Sequence, residues 1–345
     1  GGSARVVSRA EAARREPTMS ARSIRLAAAL ALAALLAGCA SFSADGGFGQ
    51  VEQVAKDRLG KNLHWARTEE QQSHIDQRVA ELLARPLSAD DAVQLALLNN
   101  RGLQAAFFEL GIGEAELVQA GRLPNPGFGF GRLTRGDEVE LERGLHFDLA
   151  ALIAMPMRRD VESRRFAQTQ SVAAASVLAL AADTRKAWVQ AVAAEETLRY
   201  TRQVMQAAEA GAELARRMAQ VGNFNKLQQA REQGFYADAA LNLARAEQQQ
   251  RATRERLTRL LGLWGEQTAF QLPGRLPDLP AQPRELPDVE RVALAQRLDV
   301  AAARAGAEAT AQNLGLTRTT RFVNVLELGL VRNSSNEAPT QKGWE

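Results

Sequence analysis

Cysteine and histidine are scarce in this chain, and each shortage removes a class of function. The single cysteine, Cys39, excludes an intrachain disulfide bond. The three histidines, His64, His74 and His146, are scattered, and none lies in a zinc-ligand spacing. The sequence also has no glycine-rich phosphate loop and no nucleophile elbow. We therefore predict that the protein is not an enzyme and binds no metal or cofactor.

Aromatic residues are sparse, and neither sign of charge dominates. The net charge is only +3, and no basic patch is interleaved with aromatics, so nucleic acid is not a predicted partner. Hydrophobic residues make up 46% of the chain and aromatic residues only 5%, which excludes disorder and favours long helices packed through small side chains.

An export signal precedes the cysteine. We treat residues 1–18 as an upstream extension and residues 19–38 as a lipoprotein signal peptide, whose apolar stretch is short for a membrane span. The residues Leu36-Ala37-Gly38-Cys39 resemble a lipobox, which predicts acylation and cleavage at Cys39. The alternative is an ordinary signal peptide with an incidental cysteine.

Residues 39–86 are predicted to form a tether followed by short helices, at Gln50–Leu59 and Thr68–Leu83. Alanine rather than aspartate follows the cysteine, and among lipoproteins this favours delivery to the outer membrane.

Residues 87–285 are predicted to form the first of two similar units. A helical pattern runs from Ser88 to about Leu123, and a β-hairpin follows at residues 127–149, where apolar and polar residues alternate. Each arm has the ~9–11 residues of a membrane-spanning strand. The alternative is a soluble hairpin packed on a helix. The apolar set is Phe128, Phe130, Val139, Leu141, Leu145 and Phe147, and the polar set includes Glu140, Glu142, His146 and Asp148.

A long helical hairpin is predicted at residues 157–262, with Pro156 as its first helical residue. A heptad seam of small residues runs from Ala173 to Ala215, which favours coiled-coil packing. The returning helix is predicted to continue the seam through six positions, and a proline-rich connector follows it. Those positions are Leu227, Ala230, Gly234, Ala237, Leu241 and Ala244.

Residues 286–345 are predicted to form an incomplete second unit. The pattern of small and apolar residues from Ala96 to Leu117 recurs from Ala293 to Leu314 at a constant offset, and a strand-like segment follows each copy. We expect Asn333 to Gln341 to form a polar loop and the second helical hairpin to be missing.

Five motifs together resemble the TolC-like outer-membrane efflux proteins, over about residues 40–345. The motifs are Leu87–Asn100, Leu117–Pro126, Ala215–Gln233, Leu257–Gly262 and Ala293–Val300. The expected fold is mainly α with β, in which the long antiparallel coiled-coil hairpin is combined with an amphipathic β-hairpin.

The resemblance implies a homotrimer with a transmembrane β-barrel in the outer membrane and a helical tunnel in the periplasm. It also implies partners, namely a periplasmic adaptor protein and an inner-membrane transporter, and passive solute export. The apolar hairpin residues would face lipid and the polar ones the pore. The adaptor would contact the hairpin tip, formed by Gly222, Asn223, Phe224 and Asn225. The alternatives are an adaptor-like lipoprotein and a structural coiled-coil lipoprotein.

Overall fold

The computed structural model describes residues 41–282, 287–322, 325–336 and 340–344. The upstream extension, the signal peptide and Cys39 lie outside these residues. The helices are α1 (Phe48–Leu59), α2 (Glu69–Leu83), α3 (Ala89–Asn99), α4 (Arg101–Ala120), α5 (Leu149–Gln220), α6 (Lys226–Leu261), α7 (Val289–Gln296) and α8 (Leu298–Thr320). The strands are β1 (Gly127–Arg135), β2 (Glu138–Asp148), β3 (Glu327–Ser335) and β4 (Gln341–Trp344). Within the described ranges, no helix is both long enough and apolar enough to cross a bilayer.

Helix α5 is the spine of the molecule, because α3, α4, α6 and α8 all pack along it. Its 72 residues rise about 110 Å. Every position of the predicted seam on α5 is buried or half-buried, from Ala173 to Ala215. The heptad prediction for this helix is therefore confirmed.

The start of α5 differs from the prediction. The helix begins at Leu149, and Pro156 lies inside it rather than at its first position. The Asp148 carboxylate caps this earlier start by accepting a hydrogen bond from the Ala151 backbone N–H at 2.8 Å. Pro156 is the eighth residue of this helix, where proline removes one intrahelical hydrogen bond and crowds the Leu152 carbonyl, yet the helix continues through it.

The seam predicted on α6 does not pack against α5. All six of its predicted positions are exposed, and the side chains that face α5 lie two residues further along, as at Ala239, Ala246 and Thr253. Alanine and other small residues occupy both stripes of α6. The heptad spacing therefore predicts the period correctly but does not select the buried face.

The predicted helix from Ser88 to Leu123 is broken at Asn100, which adopts an extended conformation between α3 and α4. The Asn99 side-chain amide donates to the carbonyl oxygens of Leu261 and Gly262 at 3.0 and 2.9 Å, and Asn100 donates to that of Leu260 at 3.0 Å. These bonds satisfy carbonyl groups that the end of α6 leaves without an intrahelical partner. Helices α6 and α4 thus meet end to end beside α5.

The same break recurs in the second unit. Arg297 separates α7 from α8 with φ −68° and ψ 118°, against −69° and 115° at Asn100. Its guanidinium does not cap the helix but binds Asp299, and this hydrogen bond lowers the pKa of Asp299 to about 2. The backbone geometry is therefore repeated even where the side-chain chemistry differs.

Two apolar clusters pack α3 and α4 against the spine. One surrounds Trp188, whose indole N–H donates to the Leu87 carbonyl oxygen at 2.7 Å. The other surrounds Phe107 and Phe48, whose rings meet edge to face at 4.9 Å. These clusters fix α3 and α4 on α5.

The four strands form one antiparallel sheet in the order β1-β2-β3-β4. The turn between β1 and β2 lies at Gly136, and the two units meet where β2 pairs with β3. Asn336 secures the turn, since it accepts from the Val139 N–H at 2.9 Å and donates to the Asp137 carbonyl at 2.7 Å. The predicted loop is shorter than expected, because Asn333 still belongs to β3.

Candidate functional site

The strand register separates the sheet into two chemically different faces. Phe128 lies opposite Leu145, Leu145 opposite Leu330, and Leu330 opposite Trp344, so one apolar row crosses all four strands. Directly paired residues lie on the same side of a sheet. We call this side the apolar face. It carries Phe128, Phe130, Val139, Leu141, Leu145, Phe147, Leu328, Leu330 and Trp344.

The opposite side, the polar face, carries the acidic residues of the sheet. Glu140 lies between Leu133 and Ser335, and Glu142 lies between Gly131 and Asn333. His146 lies between two glycines on the same side. The remaining acids of this face are Glu138, Asp148 and Glu327. Asp148 lies where β2 meets α5 and its carboxylate is used as the helix cap.

The two edge strands of the described sheet each have one unpaired edge. Among the described residues, β1 and β4 each pair with a strand on one side only. The backbone N–H and C=O groups on their outer edges therefore lack a ladder partner. An edge of this kind is satisfied by water or by another strand.

The helical hairpin ends in a tight and well-capped tip. Gly222 has φ +81°, and the N–H groups of Asn223 and Phe224 both donate to the Met218 carbonyl oxygen, at 2.8 and 3.2 Å. Asn225 then begins α6 with a capping box, in which its side-chain oxygen accepts from the Gln228 N–H at 2.8 Å. Glycine is the residue that a left-handed helix end favours, and asparagine is among the best N-cap residues.

Apolar side chains flank this tip. Val221 is 72% exposed and Leu227 is 60% exposed, whereas Phe224 is half-buried. The exposed apolar surface at the tip therefore comes from the residues beside the turn more than from the predicted Phe224.

The segment that enters the helical body is fixed at Ser43. Its backbone N–H donates to the Glu114 carboxylate at 2.6 Å, and its hydroxyl binds the same oxygen. A turn follows at Asp45, where hydrogen bonds from the Gly49 N–H, the Ser43 hydroxyl and the Gly47 N–H lower the pKa of the carboxyl group. The chain four residues after the predicted lipid anchor is thus held against α4.

Several residues of the sheet escape prediction from sequence. The apolar face also carries Arg132, Arg332 and Lys342, next to Arg143. Alternation within β1 and β2 gives the two faces of that hairpin. That alternation does not predict that β3 pairs with β2. The sequence of the second unit therefore predicts a strand but not the face on which Arg332 and Lys342 lie.

This architecture, a small amphipathic sheet on a helical spine with a capped tip, is similar to that of solved outer-membrane channel proteins. The chain matches the solved structure of CusC, described for its folding and transmembrane channel formation, with 16% identity and a TM-score of 0.57 over 74% of this chain and 64% of that one. It matches the outer membrane channel CmeC of Campylobacter jejuni with 16% identity and a TM-score of 0.59, over 85% of this chain and 65% of that one.

Among curated proteins, the cobalt-zinc-cadmium resistance protein CzcC of Cupriavidus metallidurans is 25% identical over 256 residues. The match covers 73% of this chain and 60% of CzcC, so the chain spans about three fifths of that relative's length. No protein-family model matches the chain. Fold and sequence similarity together confirm the predicted resemblance to the TolC-like outer-membrane efflux proteins.

Proposed function

We propose that the chain is a channel subunit of a tripartite efflux system, a passive conduit through the outer membrane. The observation that carries this proposal is the joining of a two-faced sheet to a helix about 110 Å long. A compact soluble domain does not contain a single helix of this length. A transmembrane barrel that continues into a periplasmic helical tunnel requires one. The similar proteins of known structure are channels.

The open edges of the sheet favour a trimer. Only helices and closed barrels keep all backbone polar groups bonded within a bilayer. Four strands are too few to close into a barrel. Four strands from each of three copies would form a barrel of twelve strands. In that barrel the apolar face would contact lipid and the polar face would line a wet pore.

The exposed stripe on α6 supports the same assembly. Leu227 and Leu241 are 60% and 50% exposed, and small residues lie between them at heptad spacing. A stripe of this kind allows a second helix to approach closely. We propose that it packs against a neighbouring copy, so that the hairpins form the wall of the tunnel.

Acylation at Cys39 would hold the tether on the periplasmic side of the outer membrane. Only a short segment separates Cys39 from Ser43, which is bonded to Glu114 on α4. This length fits an anchor beside the top of the helical body, just below the strands. An inner-membrane transporter would supply the energy for export.

We further propose that the exported solute is a metal cation. The polar face carries acidic residues and no cluster of three metal ligands among the residues described. Acidic groups in a pore concentrate cations without holding them tightly. The relative CzcC is itself a cobalt, zinc and cadmium resistance protein.

The proposal is tested by producing the full chain in a bacterium that lacks its own efflux channel. We expect the protein in the outer-membrane fraction, a detergent-solubilised particle of three subunits, and steady conductance in planar bilayers. A monomer that stays in solution without detergent would rule out the channel.

The tip gives a separate prediction about the adaptor. Changing Val221 and Leu227 to glutamate should abolish export, because charge replaces the exposed apolar surface on which a partner would dock. Assembly and bilayer conductance should not change. Export is measured as metal resistance in cells that carry the adaptor and the transporter. The control is Val172→Glu, an exposed site on α5 far from the tip. Export unaffected by the tip change would refute adaptor docking there.

A further inference from the structure

A row of positive charges crosses the apolar face of the sheet. Arg143 on β2 lies directly opposite Arg332 on β3, which lies directly opposite Lys342 on β4. Phe130 completes the row on β1, and Arg132 follows two residues later on the same side. We call Arg132, Arg143, Arg332 and Lys342 the cationic row. The acidic residues of the described strands all lie on the polar face.

These cations repel one another in the isolated chain. Neighbouring strands are about 4.8 Å apart, and like charges directly opposite each other destabilise a sheet. Within the described residues, none of the four forms an ion pair. All four side chains are exposed. An anion from outside the chain would turn this repulsion into attraction.

The surroundings of the row indicate what kind of anion fits. The apolar row from Phe128 to Trp344 lies immediately beside it, on the side of the helices, and Phe147 and Leu328 lie beyond that. A small inorganic anion would bind the cations without covering this apolar surface. A molecule with a phosphate head and hydrocarbon chains matches both parts at once.

The height of the row agrees with a lipid headgroup. From the exposed Ile153 near the start of α5 to Arg143, the chain rises about 20 Å when the strands are tilted as in a barrel. The apolar band of membrane barrels is about 25 Å tall. The cations therefore fall near the end of the band that is farther from the helices, with Leu141 and Val139 as the only apolar residues beyond them on this face, which is the height at which the headgroups of the outer leaflet lie.

We infer that the cationic row binds the phosphorylated headgroup of an outer-leaflet glycolipid, whose acyl chains cover the neighbouring apolar row. This inference rests on the proposed function, since it requires the apolar face to contact membrane. Arg143 and Arg332 supply planar guanidinium groups that bind phosphate in bidentate geometry, and Lys342 adds a point charge. The lipid would thereby join β2, β3 and β4 on their outer side.

The test is native mass spectrometry of the full chain in detergent, with added bisphosphorylated lipid A as the probe. The variant Arg143→Gln with Arg332→Gln should retain about tenfold less lipid A than the unchanged protein, because two charges near the headgroup are lost. Arg135→Gln is the matched control, since Arg135 belongs to β1 but lies on the polar face. It should retain lipid A normally.

Two further arms separate the possible sources of phosphate. Lipid A stripped of its phosphates should bind weakly to the unchanged protein, and millimolar pyrophosphate should not displace the intact lipid. Displacement by pyrophosphate alone would overturn the inference in favour of a free-phosphate site. Equal lipid retention by the double variant and the control, in a protein that still assembles in the outer membrane, would overturn the inference alone. Failure to reach the outer membrane would overturn the proposed function as well.

Discussion

Replacing Gly262 by alanine is expected to destabilise the helical body much more than replacing Gly222 by alanine. Both glycines have positive φ, +70° and +81°, so each substitution costs about 1–2 kcal/mol in backbone strain. The difference lies in the space around them. A Cβ atom at Gly262 would lie 2.5 Å from the Asn99 carbonyl oxygen, whereas one at Gly222 would meet nothing within 4 Å.

The clash at Gly262 involves backbone, which cannot move aside as a flexible side chain can. Relieving it would push the end of α6 away from Asn99 and Asn100 and stretch the hydrogen bonds that join the two helices. We expect overpacking to add about 1–3 kcal/mol to the strain. Thermal melting followed by circular dichroism measures both variants, and equal shifts in their midpoints would contradict this account of the junction.

Changing Glu140 and Glu142 to glutamine is expected to remove most of the cation selectivity of the pore. In the proposed trimer six carboxylates disappear from the polar face. A unit charge about 10 Å from a passing ion in water contributes about 0.4 kcal/mol, or about a factor of two in ion occupancy. The combined effect should therefore be a several-fold fall in the ratio of cation to anion permeability.

Reversal potentials in planar bilayers under a salt gradient measure this ratio. The control changes Glu69 and Glu70 to glutamine, because these acids are exposed at the start of α2, away from the sheet. Selectivity that falls equally in the control, or not at all in the Glu140 and Glu142 variant, would mean that the polar face does not line the pore.

Much of the fold follows from local patterns. The alternation in residues 127–149 is enough to predict β1, β2 and their two faces, because side chains on a strand alternate strictly. The heptad seam predicts the buried side of α5, and glycine and asparagine predict both caps of the tip. Each of these signals lies within a few residues of the feature that it specifies.

The errors occur where distant contacts decide the structure. Asn100 ends α3 because its amide, together with that of Asn99, finds open carbonyl groups at the end of α6, about 160 residues away. The face of α6 that packs on α5 is chosen in the same way, by competition between two similar stripes. The local sequence does not indicate which of the alternative contacts is more stable in the folded protein.

The amino-acid sequence by itself determined the rod, its tip and a hairpin with one apolar and one polar side, since helix and strand periods are written in neighbouring residues. Only the tertiary structure decided that β3 joins β2 and brings Arg332 beside Arg143. It also decided which stripe of α6 is left exposed. The physical reason is that strand pairing and helix docking depend on long-range contacts, whose free energy depends on the whole fold.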